Sequence, residues 1–281
     1  MKFSRFLMAT AAAVASSAAV AQSPPPAFSW NGVYGGLNIG YGFGGGAPAY
    51  GSHFFWTPFP IPTDLAEYAS WVARPNLSGV IGGGQIGVNR HLAPWLVFGF
   101  EADIQGADLS TRANALSTPD PGAPGLGAHV GVIDAAARVD WFGTARARIG
   151  VAPIDPRILF YVTGGLAYGH VAQTLRYSDI FPALPGFLFG GGDAGGARVG
   201  WTVGGGVEWA TPFCGLSAKV EYLYVDLGAT SVTAPGFGNV GLLPGSYFTA
   251  TQTTPARFHS VRIGLNYRFD WERPAVVAAG Y

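Results

Sequence analysis

The sequence predicts an all-β fold, an eight-stranded antiparallel up-and-down barrel that crosses a membrane on its strands. Three observations carry that expectation. Only 11% of the 281 residues are charged, against 14% aromatic and 43 Gly, where an ordinary soluble domain carries about 25% charge. Apolar and polar residues alternate with a period of two in eight separate segments. The connections between those segments alternate strictly between short and long, which is the pattern of tight turns on one side of a membrane and long loops on the other.

The membrane assignment follows by elimination. So apolar a chain must face something other than water, yet beyond the N-terminus no stretch reaches the roughly 18 apolar residues of a spanning helix. A closed barrel is the other structure that pairs every backbone N–H and C=O inside lipid. At the N-terminus Lys2 and Arg5 precede an apolar run from Phe6 to Val20, and Ala19-Val20-Ala21 reads as a cleavage site between Ala21 and Gln22. A signal peptide over 1–21, a Pro-rich lead-in over 22–31, a barrel over 32–269 and a C-terminal extension over 270–281 are therefore expected. Export through the Sec pathway to the outer membrane of a Gram-negative cell is the matching location. Cys214 is the one cysteine, which excludes an intrachain disulfide framework. A formal net charge of zero gives no reason to expect a nucleic-acid partner.

The strands read as follows, each with a greasy set and a polar or small set on opposite faces. Val33, Leu37, Ile39, Tyr41 and Phe43 alternate with Gly36, Asn38, Gly40 and Gly42. Val80, Ile86 and Val88 oppose Gly83, Gln85, Gly87 and Asn89; Leu96, Phe98, Phe100 and Ile104 oppose Glu101, Asp103 and Gln105. Trp141, Ala145, Ala147 and Ile149 oppose Asp140, Thr144, Arg146 and Arg148. Ile158, Phe160, Val162, Leu166 and Tyr168 oppose Tyr161, Thr163, Gly165 and Ala167. Val199, Trp201, Val203, Val207 and Trp209 oppose Arg198, Thr202, Gly204, Gly206 and Glu208. Ala218, Val220, Tyr222 and Tyr224 oppose Ser217, Lys219 and Glu221. Finally Val261, Ile263, Leu265, Tyr267 and Phe269 alternate with Arg262, Gly264, Asn266 and Arg268. In lipid the greasy face points outward.

Short Pro-containing turns are expected over 90–94, 152–157 and 210–215, and long extracellular loops over 45–78, 108–139, 172–197 and 227–258. Aromatics fall at both rims. Trp95, Trp209, Tyr267 and Phe269 sit on the turn side, and Tyr41, Trp141, Trp201 and Tyr224, with Tyr222 nearby, on the loop side. Interfacial girdles explain that placement; a soluble sandwich does not.

The inward set holds Glu101, Asp103, Asp140, Glu208 and Glu221 against Arg146, Arg148, Arg198, Lys219, Arg262 and Arg268. In a lumen just wide enough for side chains, opposite charges pair, because an isolated ion there carries a large desolvation cost. Two readings stand: a salt-bridged plug, or a narrow ion path through the small inward Gly and Ala. Glu101 and Asp103 lie roughly 7 Å apart on one strand face, and they are read as partners of Arg146 and Arg148 rather than as an acid/base pair. The match of Gly82-Gly83-Gly84-Gln85-Ile86-Gly87 to a dinucleotide fingerprint lies between no buried parallel strand and helix, so it signals no phosphate site. His53, His91, His129, His170 and His259 show no metal-ligand spacing. Neither an enzyme nor a cofactor is expected.

Several stretches together are similar to the opacity-protein and OmpA-membrane-domain superfamily, the small alphaproteobacterial outer-membrane β-barrels. They are Phe28-Ser29-Trp30-Asn31-Gly32-Val33-Tyr34-Gly35-Gly36, Val139 through Arg148, Tyr161 through Tyr168, Lys219 through Tyr224, and Val261 through Phe269. The likeness covers the strands and leaves the long loops out. It implies fold, outer-membrane lipid as surroundings, and the barrel-assembly machinery as a partner. That machinery reads a closing aromatic, so the twelve residues from Asp270 to Tyr281 make the signal internal or hand it to Tyr281. The resemblance also implies that haem or a host surface could be an extracellular ligand, for which His53, Phe54, Phe55 and Trp56 are the loop candidates. The expected function is a structural, surface-exposed barrel that supports the envelope and presents its loops. A small porin for ions or small solutes is the alternative, and loop-borne haem or host-ligand binding a further one.

Overall fold

The computed structural model describes residues 28–44, 49–56, 67–119, 130–180, 186–213, 215–240 and 243–269, and every regular element among them is a β-strand. In chain order these are β1 (Gly32–Phe43), β2 (Ala49–Trp56), β3 (Glu67–Ala73), β4 (Gly79–Ala93), β5 (Leu96–Leu116), β6 (Thr118–Pro119), β7 (Val130–Val151), β8 (Ile158–Ile180), β9 (Gly186–Ala210), β10 (Leu216–Val240) and β11 (Leu243–Phe269). Eight of them close a ring in the order β1-β4-β5-β7-β8-β9-β10-β11, with β11 returning to β1 from Val33↔Phe269 to Phe43↔His259. All neighbours are antiparallel. This is the eight-stranded up-and-down barrel that the alternation predicts. The signal-peptide and cleavage residues, Ala21 and Gln22 among them, and the extension from Asp270 lie outside the described residues.

The greasy outer wall has the height of a bilayer. On β11 the exposed apolar run extends from Val261 to Phe269, and on β8 from Phe160 to Tyr168, matching the roughly 9–11 residues that a tilted strand needs to cross. The strands do not stop there. β9 and β10 have 25 residues each and β11 has 27, so more than half of each lies beyond the bilayer. Where they are described, the segments expected as long loops are thus largely strand. Above the end of β1, β11 takes β2 as its neighbour, from Tyr50↔Thr253 to Trp56↔Tyr247; β3 pairs with β2, and β6 with β3.

The outer tier is a water-facing barrel with its own apolar interior. Trp71, Ile133, Ala135, Leu175, Tyr177, Val232, Ala234 and Ala250 pack together inside it. The sequence pattern hides this because the strands change phase at bulges. In β7, Thr144, Arg146 and Arg148 point inward, but beyond the shift between Val139 and Trp141 the buried residues are Ile133, Ala135, Ala137 and Val139. In β10, Ser217, Lys219 and Glu221 are inward below the shift at Asp226/Ala229, and Thr230, Val232 and Ala234 above it. One extra residue exchanges the faces of everything that follows. Gly228 makes the second bulge possible: its φ of +80° lies in the region that favours glycine, and its N–H donates to Asp226 Oδ1 at 2.8 Å.

Candidate functional site

Within the bilayer the lumen holds four cations and four anions that face one another. Arg146 lies 2.5 Å from Glu101, 3.0 Å from Asp103 and 3.1 Å from Glu221. Arg148 reaches Glu208 at 2.7 Å and Glu101 at 3.5 Å. Lys219 Nζ donates to both carboxylate oxygens of Glu101, at 2.8 and 2.9 Å. Arg262 lies 2.5 Å from Glu221 and 2.9 Å from Asp103. All eight side chains are buried. The charges cancel, and each ion has at least one partner, which offsets the desolvation of ions held in a low-dielectric interior.

Neutral groups complete the set. The Tyr34 hydroxyl donates to Glu101 Oε2 at 2.7 Å and accepts from Arg148 at 3.0 Å. Tyr161 donates to Glu221 at 2.9 Å, and its ring centroid lies 4.2 Å from the Arg148 guanidinium carbon. Thr144 donates to Asp103, and Ser217 and Asn266 donate to Glu208. Asn38, Gln85 and Asn266 form a chain of amides, at 2.5 and 2.6 Å. The two tyrosines lie across glycines: a Cβ on Gly87 would meet the Tyr34 ring at 2.3 Å, and one on Gly206 the Tyr161 hydroxyl at 2.7 Å. Inward glycine here makes room for a long neighbour. Tyr34 shares the inward phase of β1 with Asn38, whereas Trp30 precedes the strand and has no period to mark it.

Apolar layers bound the charges on both sides. On the loop side Leu109, Phe142, Leu223, Leu227 and Phe258 are fully buried, and Phe142 meets Phe258 edge to face at 5.1 Å. Leu77, from the link between β3 and β4, packs into the same layer. On the turn side Trp30 packs with Val97, Leu159 and Ala210, and its Nε1–H donates to the Pro156 carbonyl at 2.9 Å. The cavity between Trp30, Tyr34, Glu208 and Arg268 measures about 30 Å³, room for about one water.

Three residues expected in the charge network lie outside it. Asp140 sits at the β7 bulge and pairs with Arg138 at 2.8 Å and His170 at 3.1 Å, partly exposed. Arg268 is at the turn-side mouth, where it donates to the Ser29 carbonyl and stacks on Phe28 at 4.8 Å. Arg198 lies on β9 beyond Thr202, on the loop side of the network; it is half-buried, and its Nε has no hydrogen-bond partner among the described residues. All three sit at strand positions where the barrel leaves the bilayer, so parity alone put them with the network.

The aromatics form two belts on the outer wall. Trp95, Trp209, Tyr267 and Phe269 are exposed on the turn side; Trp141, Trp201 and Tyr222, with half-buried Tyr224, mark the loop side. Tyr267 packs on Phe269 and Trp201 on Tyr224, each at 5.3 Å. His53, Phe54, Phe55 and Trp56, expected in a loop, have their backbone in β2, between β11 and β3. Among the described residues no three His, Cys, Asp or Glu side chains gather to hold a metal ion.

Comparison with known proteins agrees with this architecture. The family model for the outer membrane protein beta-barrel domain matches residues 8–269. A 31 kDa outer-membrane immunogenic protein of Brucella melitensis biotype 1 is 32% identical over 268 residues, 95% of each chain. A protein of the same description from Brucella suis biovar 1 matches equally. Among solved structures, Ail of Yersinia pestis in complex with the heparin analogue sucrose octasulfate aligns over 82% of this chain and 99% of its own, at 11% identity and a TM-score of 0.27. OprG of Pseudomonas aeruginosa aligns over 85% and 97%, at 10% identity and a TM-score of 0.30. The family and the architecture rest on the family model and the Brucella relatives alone.

Proposed function

The chain belongs to the outer membrane protein beta-barrel domain family, and from that premise we propose that it is a structural barrel of the bacterial outer membrane, closed along its lumen, that presents the outer tier at the cell surface. The observation that carries the reading is the stack of buried layers across the lumen. An ion entering from the turn side meets Trp30, then eight mutually paired charges, then the Phe142–Phe258 layer. Freeing one charge to serve as a carrier would strand its partners, which costs about 3–5 kcal/mol. The apolar layer gives an ion no ligand at all.

Presentation rests on the outer tier. More than half of β9, β10 and β11 stands clear of the bilayer around its own core, which gives the surface a fixed shape. The Brucella relatives are named as immunogenic, and the outer tier is the part of this chain that would meet an antibody.

Single-channel recording on the refolded chain from Gln22 to Tyr281 in planar bilayers tests the proposal, with folding checked by heat-modifiable gel mobility. A folded and electrically silent barrel is the expected result. Steady conductance that changes on replacing Arg146 or Arg148 would overturn it and make the lumen an ion path.

A further inference from the structure

On the outer wall, just beyond the loop-side belt, two arginines from the adjacent strands β5 and β7 share one concave patch. Arg112 of β5 stands opposite Ala136 of β7, and Arg138 of β7 stands between Ser110 of β5 and Ala172 of β8. Arg112, Arg138, Ser110 and Thr174 line a single concavity floored by Ala136 and Ala172. His170 adjoins it, and Asp140 lies between Arg138 and His170. The small floor residues let the two long arginines stand over a hollow instead of a ridge.

The depth of the patch is set by the belt. Trp141 packs against Tyr168 at 6.2 Å, marking the edge of the hydrocarbon. Arg138 lies three residues further along a strand tilted at about 45°, a rise of roughly 7 Å along the membrane normal. The headgroup layer is roughly 5–8 Å thick per leaflet, so the guanidinium falls where lipid phosphates lie.

Its chemistry suits them. Arg138 meets Asp140 through Nε at 2.8 Å and Arg112 meets Asp134 through Nε at 3.6 Å, with side chains 60% and 74% exposed. Each guanidinium has five N–H donors in a fixed fork, so engagement at Nε leaves the terminal nitrogens to grip a phosphate. On the far side a single arginine, Arg257, stands at this height, paired with Asp226 at 2.9 Å, and beyond it Ser231 faces Thr253 and Thr233 faces Thr251, outward and uncharged.

We propose that the outer face of β5, β7 and β8 beyond the belt is a docking site for the phosphate of a phosphorylated outer-leaflet lipid, gripped by Arg112 and Arg138 with Ser110 and Thr174 as hydroxyl donors. The site needs the outer-membrane location and is independent of whether the lumen conducts. The test uses the folded full barrel in detergent micelles and three probes read by native mass spectrometry: bis-phosphorylated lipid A, the same lipid A with both phosphates removed, and inorganic phosphate. The wild type is expected to retain the phosphorylated lipid, and R112Q/R138Q to lose about tenfold or more of that retention, two charge-assisted contacts being removed. R176Q, which takes the same charge from the same wall farther from the bilayer, is expected to retain it fully. Equal retention of the dephosphorylated lipid by the wild type would overturn the proposal, and that arm stands even if the double variant does not fold. Unchanged retention in a folded double variant, or displacement by millimolar inorganic phosphate, would overturn it as well.

Discussion

The two tiers of this barrel are built from the same strands and have opposite insides. Within the bilayer the wall is greasy and the interior holds Glu101, Asp103, Glu208 and Glu221 against Arg146, Arg148, Lys219 and Arg262. Beyond it the interior is Ile133, Leu175, Val232 and Ala250, and the outward residues include Arg112, Arg138, Arg176 and Arg257. The solvent decides which. A wall in lipid must be apolar, so polar side chains have only the lumen left and must satisfy one another there. A wall in water is under the ordinary hydrophobic drive, and the apolar side chains go inside. In β7 and β10 a bulge makes the exchange; β11 makes it in sequence, with Arg262 and Asn266 inward below Ser260 and Phe258 and Ala256 inward above. Polarity at a position therefore has no meaning until the surrounding medium is known.

Removing a charge from the lower interior should have the largest effect. Glu101→Ala takes from Lys219 its one close carboxylate and leaves the buried network one positive charge in excess, and a loss of about 3–5 kcal/mol is expected in urea unfolding from vesicles. A loss below 1 kcal/mol would mean that water already solvates the network. The upper interior should respond to volume instead: Leu175→Ala is expected to cost about 2–5 kcal/mol. Its expected signature is faster proteolysis of the outer tier, with the membrane tier still resisting heat in gel mobility. Loss of both together would show one cooperative unit.

The outer wall gives the sharpest contrast, since the same substitution can be made in both media. Leu265→Arg, in the middle of the apolar run of β11, is expected to cost about 2–4 kcal/mol. Thr251→Arg, outward on the same strand in the upper tier, should stay within about 0.5 kcal/mol. Equal costs would show that lipid covers more of β11 than its belt implies.

Where one medium held over a whole segment, the chain could be read directly. Val261 to Phe269 alternates cleanly because all of it lies in lipid, and the same holds for Ile158 to Tyr168. The ion partners were legible for the same reason: Glu101 and Asp103 share a strand face, and β7 places Arg146 and Arg148 beside them. The outer tier was not legible. Its strands carry apolar residues in the reverse phase, so 108–139 and 227–240 lost their period at the bulge and resembled loops. Asp140 and Arg268 kept the inward parity and still left the network, because parity fixes a face and says nothing of height along the barrel axis. Trp30 gave no signal of its own: it precedes β1, and only the turn around Pro156 gives its indole a partner.

The exchange of faces at the β7 bulge is the claim on which the rest depends. The direct measurement is a single-cysteine scan from Val132 to Ile149, with Cys214 replaced by Ser, read by a lipid-phase quencher and a water-soluble thiol reagent. Cysteines at Trp141, Ala145, Ala147 and Ile149 should be quenched from lipid, and those at Asp134, Ala136 and Arg138 should react from water. Those at Ile133, Ala135 and Val139 should respond to neither. Water reactivity at Ile133, Ala135 and Val139 with protection at the even positions would mean that the face never changes, and the two-tier account would be wrong.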